Sequence, residues 1–257
     1  MHSPCPDANS LVNETPVAVT VNGLSHAVMM VTNQHLTDFA YGFACSERLI
    51  DGPNQIRDIH ICTAPDLAGF SDLDIAPLTL DIELSPRQLS QYKQRQVQRL
   101  GNSGCGLCGS ETLAQAFPPL PTLPPSPLPS TKLLNQWREL LPQYQTLGQQ
   151  MGGLHCALLI SPQGEVVAAR EDIGRHNALD KVIGYGLTQL GDLTGHYVLM
   201  SSRCSTELVQ KAVLAGLAGL VHLASPSQLA VAQARKSRLA LIHLTKYDGP
   251  RVYSPAD

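Results

Sequence analysis

No stretch of this chain is apolar for the length of a bilayer. The nearest, Ala212 to Ala224, is short and contains His222, so no membrane association is expected. An excess of basic charge is also missing: 18 Lys and Arg stand against 21 Asp and Glu, a formal net charge of -3. That balance argues against nucleic acid as a partner, and any anionic ligand must be held by local basic groups. Met1 to Ser10 has no basic segment leading into an apolar core, so no secretory signal is expected. Seven cysteines without such a signal indicate a reducing compartment, the cytoplasm, and free thiols. What is present suffices for a folded protein: 257 residues, 43% of them hydrophobic, make one large domain or two modest ones.

The early region reads as a hairpin. Pro16 to Val21 and Ser25 to Val31 are β-rich runs around an Asn22-Gly23 turn signal. A helix is expected from about Leu36 to Leu49, then strands near Gln55 to Ile61 and Leu78 to Leu84. The second alternates, with Leu78, Leu80, Ile82 and Leu84 on one face. Ser85-Pro86-Arg87-Gln88 reads as a capping box opening a helix to about Leu100. Gly101 to Gly109 then breaks the pattern with four glycines and two cysteines. Seven prolines between Pro118 and Pro129 follow, an extended, semi-rigid connector. The expected organisation is an N-terminal α+β domain over 1–115, a proline-rich linker over 116–130 and an α/β domain over 131–257.

The second half alternates strands and helices. Strands are expected at Leu154 to Ile160, Glu165 to Ala169, Tyr197 to Met200, Leu220 to Leu223 and Leu239 to Leu244. Helices are expected at Asn177 to Leu190, with an apolar stripe of Leu179, Val182, Ile183, Leu187 and Leu190, and at Thr206 to Ala215. Ser225-Pro226-Ser227-Gln228 reads as a second capping box. The fold class is therefore α/β, a partly parallel sheet with helices on both faces.

Three motifs carry chemistry. In Gly104-Cys105-Gly106-Leu107-Cys108-Gly109, glycines strip bulk from around two thiols, which eases thiolate attack on a persulfide. A structural zinc site would need a second Cys-x-x-Cys or a His pair, and neither is present. A thioredoxin-type dithiol would sit at a helix N-terminus after a strand, whereas this loop follows a helix. In Arg170 to Asn177, a strand-to-helix corner offers free N–H groups at Gly174 with Arg175 and His176 as added donors, a setting that fits a diphosphate. Ser201 to Glu207, with Arg203, is a second such corner, and the two together suggest one pocket at the strands' carboxyl ends. Lys181 and Lys211 either face that pocket or lie on solvated helix faces. Cys45, Cys62 and Cys156 read as inert core thiols; Cys204 is either a pocket residue or a packing residue, and His155 either a ligand contact or structural.

These motifs resemble the formate dehydrogenase accessory sulfurtransferase family (FdhD). The resemblance rests on Cys105 to Gly109, Gly152 to His155, Glu171 to Lys181 and Arg203 to Ala212, and it spans nearly the whole chain. It implies a cytidine-deaminase-like α/β/α sandwich in the C-terminal part and a homodimer. It implies a sulfurtransferase: Cys105 carries a persulfide accepted from a cysteine desulfurase, and Cys108 assists or relays. The sulfur goes to a molybdenum or tungsten bis-pyranopterin guanine dinucleotide, the cofactor of formate dehydrogenase, bound as a substrate with no intrinsic metal. The dinucleotide is implied to lie against the Arg175 and Arg203 corners and a C-terminal loop of Leu244, Thr245, Lys246, Tyr247, Asp248 and Gly249. This chain has Ser201-Ser202-Arg203 where the family often has Ser-Gly-Arg, and Lys246 and Tyr247-Asp248 where Arg and glycines are expected.

Three rivals differ in class. A zinc nucleotide deaminase needs a His- or Cys-x-Glu motif and a Pro-Cys-x-x-Cys pair; no Pro precedes Cys105 and no His-x-Glu occurs. A binding chaperone would hold the cofactor without sulfur chemistry. A dithiol oxidoreductase would cycle a Cys105–Cys108 disulfide.

Overall fold

Two residues that favour positive φ set the first element pair. Asn22 (φ 48°) and Gly23 (φ 75°) both adopt left-handed backbone, which matches the right-handed twist of the flanking strands. Strands β1 (Thr15–Val21) and β2 (Leu24–Val31) therefore pair as a tight antiparallel hairpin. The computed structural model describes residues 11–64, 76–101 and 119–254, with backbone only for 96–101. β4 (Leu78–Leu84) lies parallel to β1 and antiparallel to β3 (Ile56–Thr63), giving a sheet in the order β2-β1-β4-β3. Alternation places Val17, Val19, Val21, Leu80, Ile82 and Leu84 in the core. Helix α1 (Leu36–Ser46) follows the hairpin and α2 (Pro86–Gly101) follows β4. The capping box at Ser85 does not form: the Ser85 N–H donates to the Gln55 carbonyl, and Gln88 Oε1 is buried without a partner among the described residues.

The remainder builds a six-stranded sheet in the order β10-β9-β8-β7-β5-β6, from β5 (His155–Ile160), β6 (Val166–Asp172), β7 (Tyr197–Met200), β8 (Gly219–His222), β9 (Ala240–Leu244) and β10 (Pro250–Ser254). β7, β8 and β9 run parallel; the other pairings are antiparallel. Alternate residues of one strand feed two cores. Cys156, Leu158 and Ile160 of β5 pack with Leu134, Trp137 and Leu141 of α3 (Thr131–Tyr144). Ala157 and Leu159 face the opposite core, with α5 (Arg175–Gln189), α6 (Thr206–Leu214) and α7 (Gln228–Ser237). The chain is thus mixed α/β with helices on both faces of this sheet. α3, the short α4 (Thr146–Met151) and β10 were not foreseen. α7 is capped by Ser227, which accepts from Ala230 N at 3.1 Å, two residues beyond the expected Ser225.

Residues 119–130 have no regular structure, and side contacts pin them. The Leu123 N–H donates to Ser237 O, and the Tyr197 hydroxyl donates to Pro127 O, both at 2.9 Å.

One core runs from Val19 and Leu80 through Phe39 and Phe43 of α1 to Leu179 and Val182 of α5. The two helices meet backbone to backbone. A Cβ on Gly42 would run into the Asp180 carbonyl, and one on Gly184 into the Asp38 carbonyl. This contact corrects the amphipathic reading of α5. Leu179, Val182, Ile183 and Leu187 are buried as expected, but so are Asn177, Asp180 and Lys181 on the other side, while Leu190 is exposed. Cys62 is also corrected: it lies exposed on the edge strand β3.

Candidate functional site

Strand direction gathers the chemistry at one edge. The parallel strands β7, β8 and β9 all end there, so the corners after Met200, His222 and Leu244 are neighbours. β5 is antiparallel to β7 and β6 to β5, which brings His155 and Asp172 to the same edge as register partners. Ligands of open α/β sheets bind beyond such carboxyl ends.

The first corner is built by buried acids. Asp172 is fully buried and accepts from Thr32 N (3.0 Å), Gly174 N (2.8 Å) and Asn177 Nδ2 (2.9 Å), and its other partner is Lys181 Nζ at 2.6 Å. Glu171 accepts from Leu147 N and Gly148 N at 2.8 and 2.9 Å, satisfying the free donors that open α4. Asp180 accepts from Lys211 Nζ (2.7 Å) and Ser46 Oγ (2.6 Å). Burial pushes the Asp180 carboxyl up, against the pull of Lys211 and Ser46, and pushes the Lys181 ammonium down, against the pull of Asp172. Lys181 and Lys211 are thus buried in ion pairs, neither solvated nor free to grip a ligand. Arg175 and His176, the first two residues of α5, remain partly open beside the cap residue Gly174.

Arg175 meets Arg203 across a cavity of about 370 Å³, whose lining includes Cys204, Ser205, Ser225 and Ser227. Two guanidiniums and serine hydroxyls converge there. That donor set, with no carboxylate in the lining, suits an anion with several oxygens, such as a diphosphate. Of the residues expected at the two corners, the fold brings Arg175 and Arg203 to one cavity, whereas Gly174 and His176 line another. His176 turns away into a neighbouring cavity of about 510 Å³. There its Nε2 lies 3.1 Å from Glu207 Oε2 and 3.3 Å from Ser205 Oγ. Burial pushes its imidazole down, Glu207 opposes that, and Arg175 reinforces it. His155 at the same edge is pushed down by burial and then by Arg175.

The C-terminal loop reaches the same sheet edge, but none of its residues lines the arginine cavity. Leu244 is buried in the core beneath Trp137. Thr245 Oγ1 accepts from Asp248 N (3.0 Å), Asp248 pairs with Arg251 (2.7 Å), and Lys246 stacks over Tyr247. Gly249 closes the turn, its carbonyl taking the Thr245 hydroxyl at 3.2 Å. Tyr247 is 87% exposed.

Cys105 and Cys108 lie outside the described residues. Burial pushes the thiols of Cys45, Cys156 and Cys204 up to about 12, so at neutral pH they stay protonated and unreactive. Cys204 lines the pocket but is almost closed to solvent, so it is a packing residue rather than a reactive one. A Cys-x-Glu triplet does occur, at Cys45-Ser46-Glu47, but Cys45 is buried and Glu47 turns toward His26 (3.9 Å). Among the described residues no three His, Cys, Asp or Glu side chains are grouped to hold a metal ion.

The model of the FdhD/NarQ family matches residues 12–257. The chain belongs to the FdhD/NarQ family. Sulfur carrier protein FdhD of Bordetella petrii is 35% identical over 248 residues, covering 96% of this chain and 85% of that protein. Its namesake from Variovorax paradoxus is 35% identical over 94% of this chain and 83% of its own. A crystal structure described as a candidate formate dehydrogenase accessory protein from Desulfotalea psychrophila shares the fold of this family member. Its TM-score is 0.70 at 22% identity, over 95% of this chain and 88% of that one. No described helix is long and apolar enough to cross a membrane.

Proposed function

We propose that this chain is a sulfur carrier for formate dehydrogenase maturation, a sulfurtransferase acting as a cytoplasmic homodimer. Its substrate is the molybdenum or tungsten bis-pyranopterin guanine dinucleotide, and the arginine cavity holds a diphosphate of that substrate. The carrying observation is that Arg175 and Arg203 line one cavity together with serine side chains. The names of the curated relatives support the sulfur half of the reading.

The acceptance step balances without a redox partner. The Cys105 thiolate attacks the outer sulfur of a cysteine desulfurase persulfide; a new S–S bond forms at Cys105 Sγ, and the desulfurase cysteine leaves as a thiolate. Cys108 assists or relays that sulfur. The protonated state of the buried Cys45, Cys156 and Cys204 leaves this role to other thiols. Intact mass spectrometry after incubation with a desulfurase and cysteine tests it. A one-sulfur adduct is expected on the wild type and on Cys62→Ala, and not on Cys105→Ala; an adduct unchanged in Cys105→Ala overturns the assignment.

The pocket has its own test. A charge-assisted contact contributes about 1.5–3 kcal/mol, so Arg175→Ala or Arg203→Ala should weaken guanosine diphosphate binding roughly tenfold or more. Wild-type affinity in both variants rejects it. The pocket needs no cysteine, which favours one second reading, a binding chaperone without sulfur chemistry. Activation of the dehydrogenase by the Cys105→Ala/Cys108→Ala variant would establish that reading instead.

A further inference from the structure

His222 is the last residue of β8 and is fully buried within an otherwise apolar strand. Its Nδ1 lies 3.1 Å from the backbone carbonyl of Ser202. A carbonyl only accepts, so the proton must sit on Nδ1. Nε2 is then a bare acceptor, and it has no partner among the described residues. Such an imidazole is an expensive choice for a core position, because an unpaired buried polar atom destabilises the fold. Burial pushes it down to about 4, against its bond to Ser202, so it is neutral in use. An apolar side chain would suit the strand better unless the Ser202 bond matters.

Ser202 precedes Arg203. The corner is pinned before it as well, where Ser201 N donates to Cys156 O (3.0 Å) and Cys156 N donates to Ser201 Oγ (2.9 Å). After it, the Cys204 carbonyl accepts from Ser227 N (3.0 Å). His222 holds the middle of the turn, the peptide that leads into the arginine. His222 thus clamps the turn that opens from the neighbouring strand, and that turn supplies part of the wall of the arginine cavity.

We propose that His222 is a positioning residue for anion binding: its Nδ1–H fixes the Ser202 carbonyl and so aims Arg203 into the cavity. This rests on the reading of that cavity as an anion site. The test compares His222→Leu, His222→Met and His222→Asn, with Arg203→Ala as reference, by calorimetric titration with guanosine diphosphate and by thermal melting. The Leu and Met variants are expected to melt close to wild type, since they remove the unpaired Nε2 but leave the Ser202 carbonyl unpaired in exchange. They should nevertheless bind roughly fivefold more weakly, the worth of one neutral hydrogen bond. His222→Asn, which keeps a donor near Nδ1, should bind within about twofold of wild type. Wild-type affinity in both apolar variants, with Arg203→Ala impaired, overturns the role of His222 alone. Unfolding of both apolar variants also overturns it, marking His222 as a residue of the fold. If the wild type binds no diphosphate, or Arg203→Ala binds as well as wild type, the anion site falls and this inference with it.

Discussion

Lys181→Met tests the physical basis of the first corner. Lys181 Nζ lies 2.6 Å from Asp172, 2.9 Å from Thr32 O and 3.3 Å from Glu171 O, with no solvent exposure on either charged side chain. Removing one member of a buried pair costs about 3–5 kcal/mol, because a charge is left without its counterion. Asp172 would keep three N–H donors, from Thr32, Gly174 and Asn177. The loss should therefore fall near the lower bound, about 3 kcal/mol. For a chain of this size that is a drop of roughly 6–12 °C in Tm. Asp172→Ala should cost more, since it orphans those donors and the Lys181 ammonium together. The sign with pH is also fixed. Burial holds Lys181 below its ordinary value of 10.5, so between its folded value and 10.5 the unfolded chain binds more protons, and stability rises with pH across that window. Lys181→Met should flatten that rise. Urea denaturation read by circular dichroism measures all three. A loss below about 1 kcal/mol in Lys181→Met, or a milder effect in Asp172→Ala than in Lys181→Met, refutes the account.

Other outcomes follow from single contacts. Gly184→Ala gains about 1 kcal/mol of helix propensity, but its Cβ meets the Asp38 backbone carbonyl, which cannot swing aside; overpacking of about 1–3 kcal/mol should win, and a raised Tm would refute the close helix crossing. Acid should destabilise the protein between pH 6.5 and about 4, because the unfolded chain protonates His222 before the fold does; the effect is worth about 3 kcal/mol, and a melting profile unchanged by His222→Leu over that range would refute it. Cys204→Ser should leave sulfur loading of the carrier unchanged, since its thiol is pushed up to about 12; lost loading with normal Tm would make Cys204 part of the relay.

Local pattern carried the strands and failed where distant packing decides. Leu78 to Leu84 alternates, and three of its four leucine and isoleucine positions are essentially closed to solvent. Tyr197 to Met200 is an apolar run that ends where the structure ends it. β10 was not legible because Pro250 to Ser254 shows no alternation; it exists by pairing with β9. α3 had a usable signal, Ser130 as cap and Leu134, Trp137 and Leu141 on one face, hidden behind the prolines that precede it. The burial of Lys181 and Asp180 had none, since a charged residue on a helix reads as solvent-facing until Gly42 and Gly184 are known to let α1 lie against α5.

The candidate site divides along the same line. Arg175 and Arg203 were legible because each lies in a corner between a strand and the helix after it, and that position implies direction: residues at the carboxyl ends of strands in one sheet share an edge. Their meeting across one cavity then follows from the β5–β7 and β5–β6 pairings. His176 follows Arg175 directly, yet it points elsewhere, because successive helix residues are turned about 100° apart and face different neighbours. Adjacency to a ligand residue is therefore a poor guide to ligand contact on a helix, whereas position at a strand end is a good one. His222 obeys the second rule. It is the polar residue that closes an apolar strand, at the edge where the arginines sit. A strand core selects against an imidazole, so its presence there calls for a polar partner in the adjoining turn, and the Ser202 carbonyl is that partner.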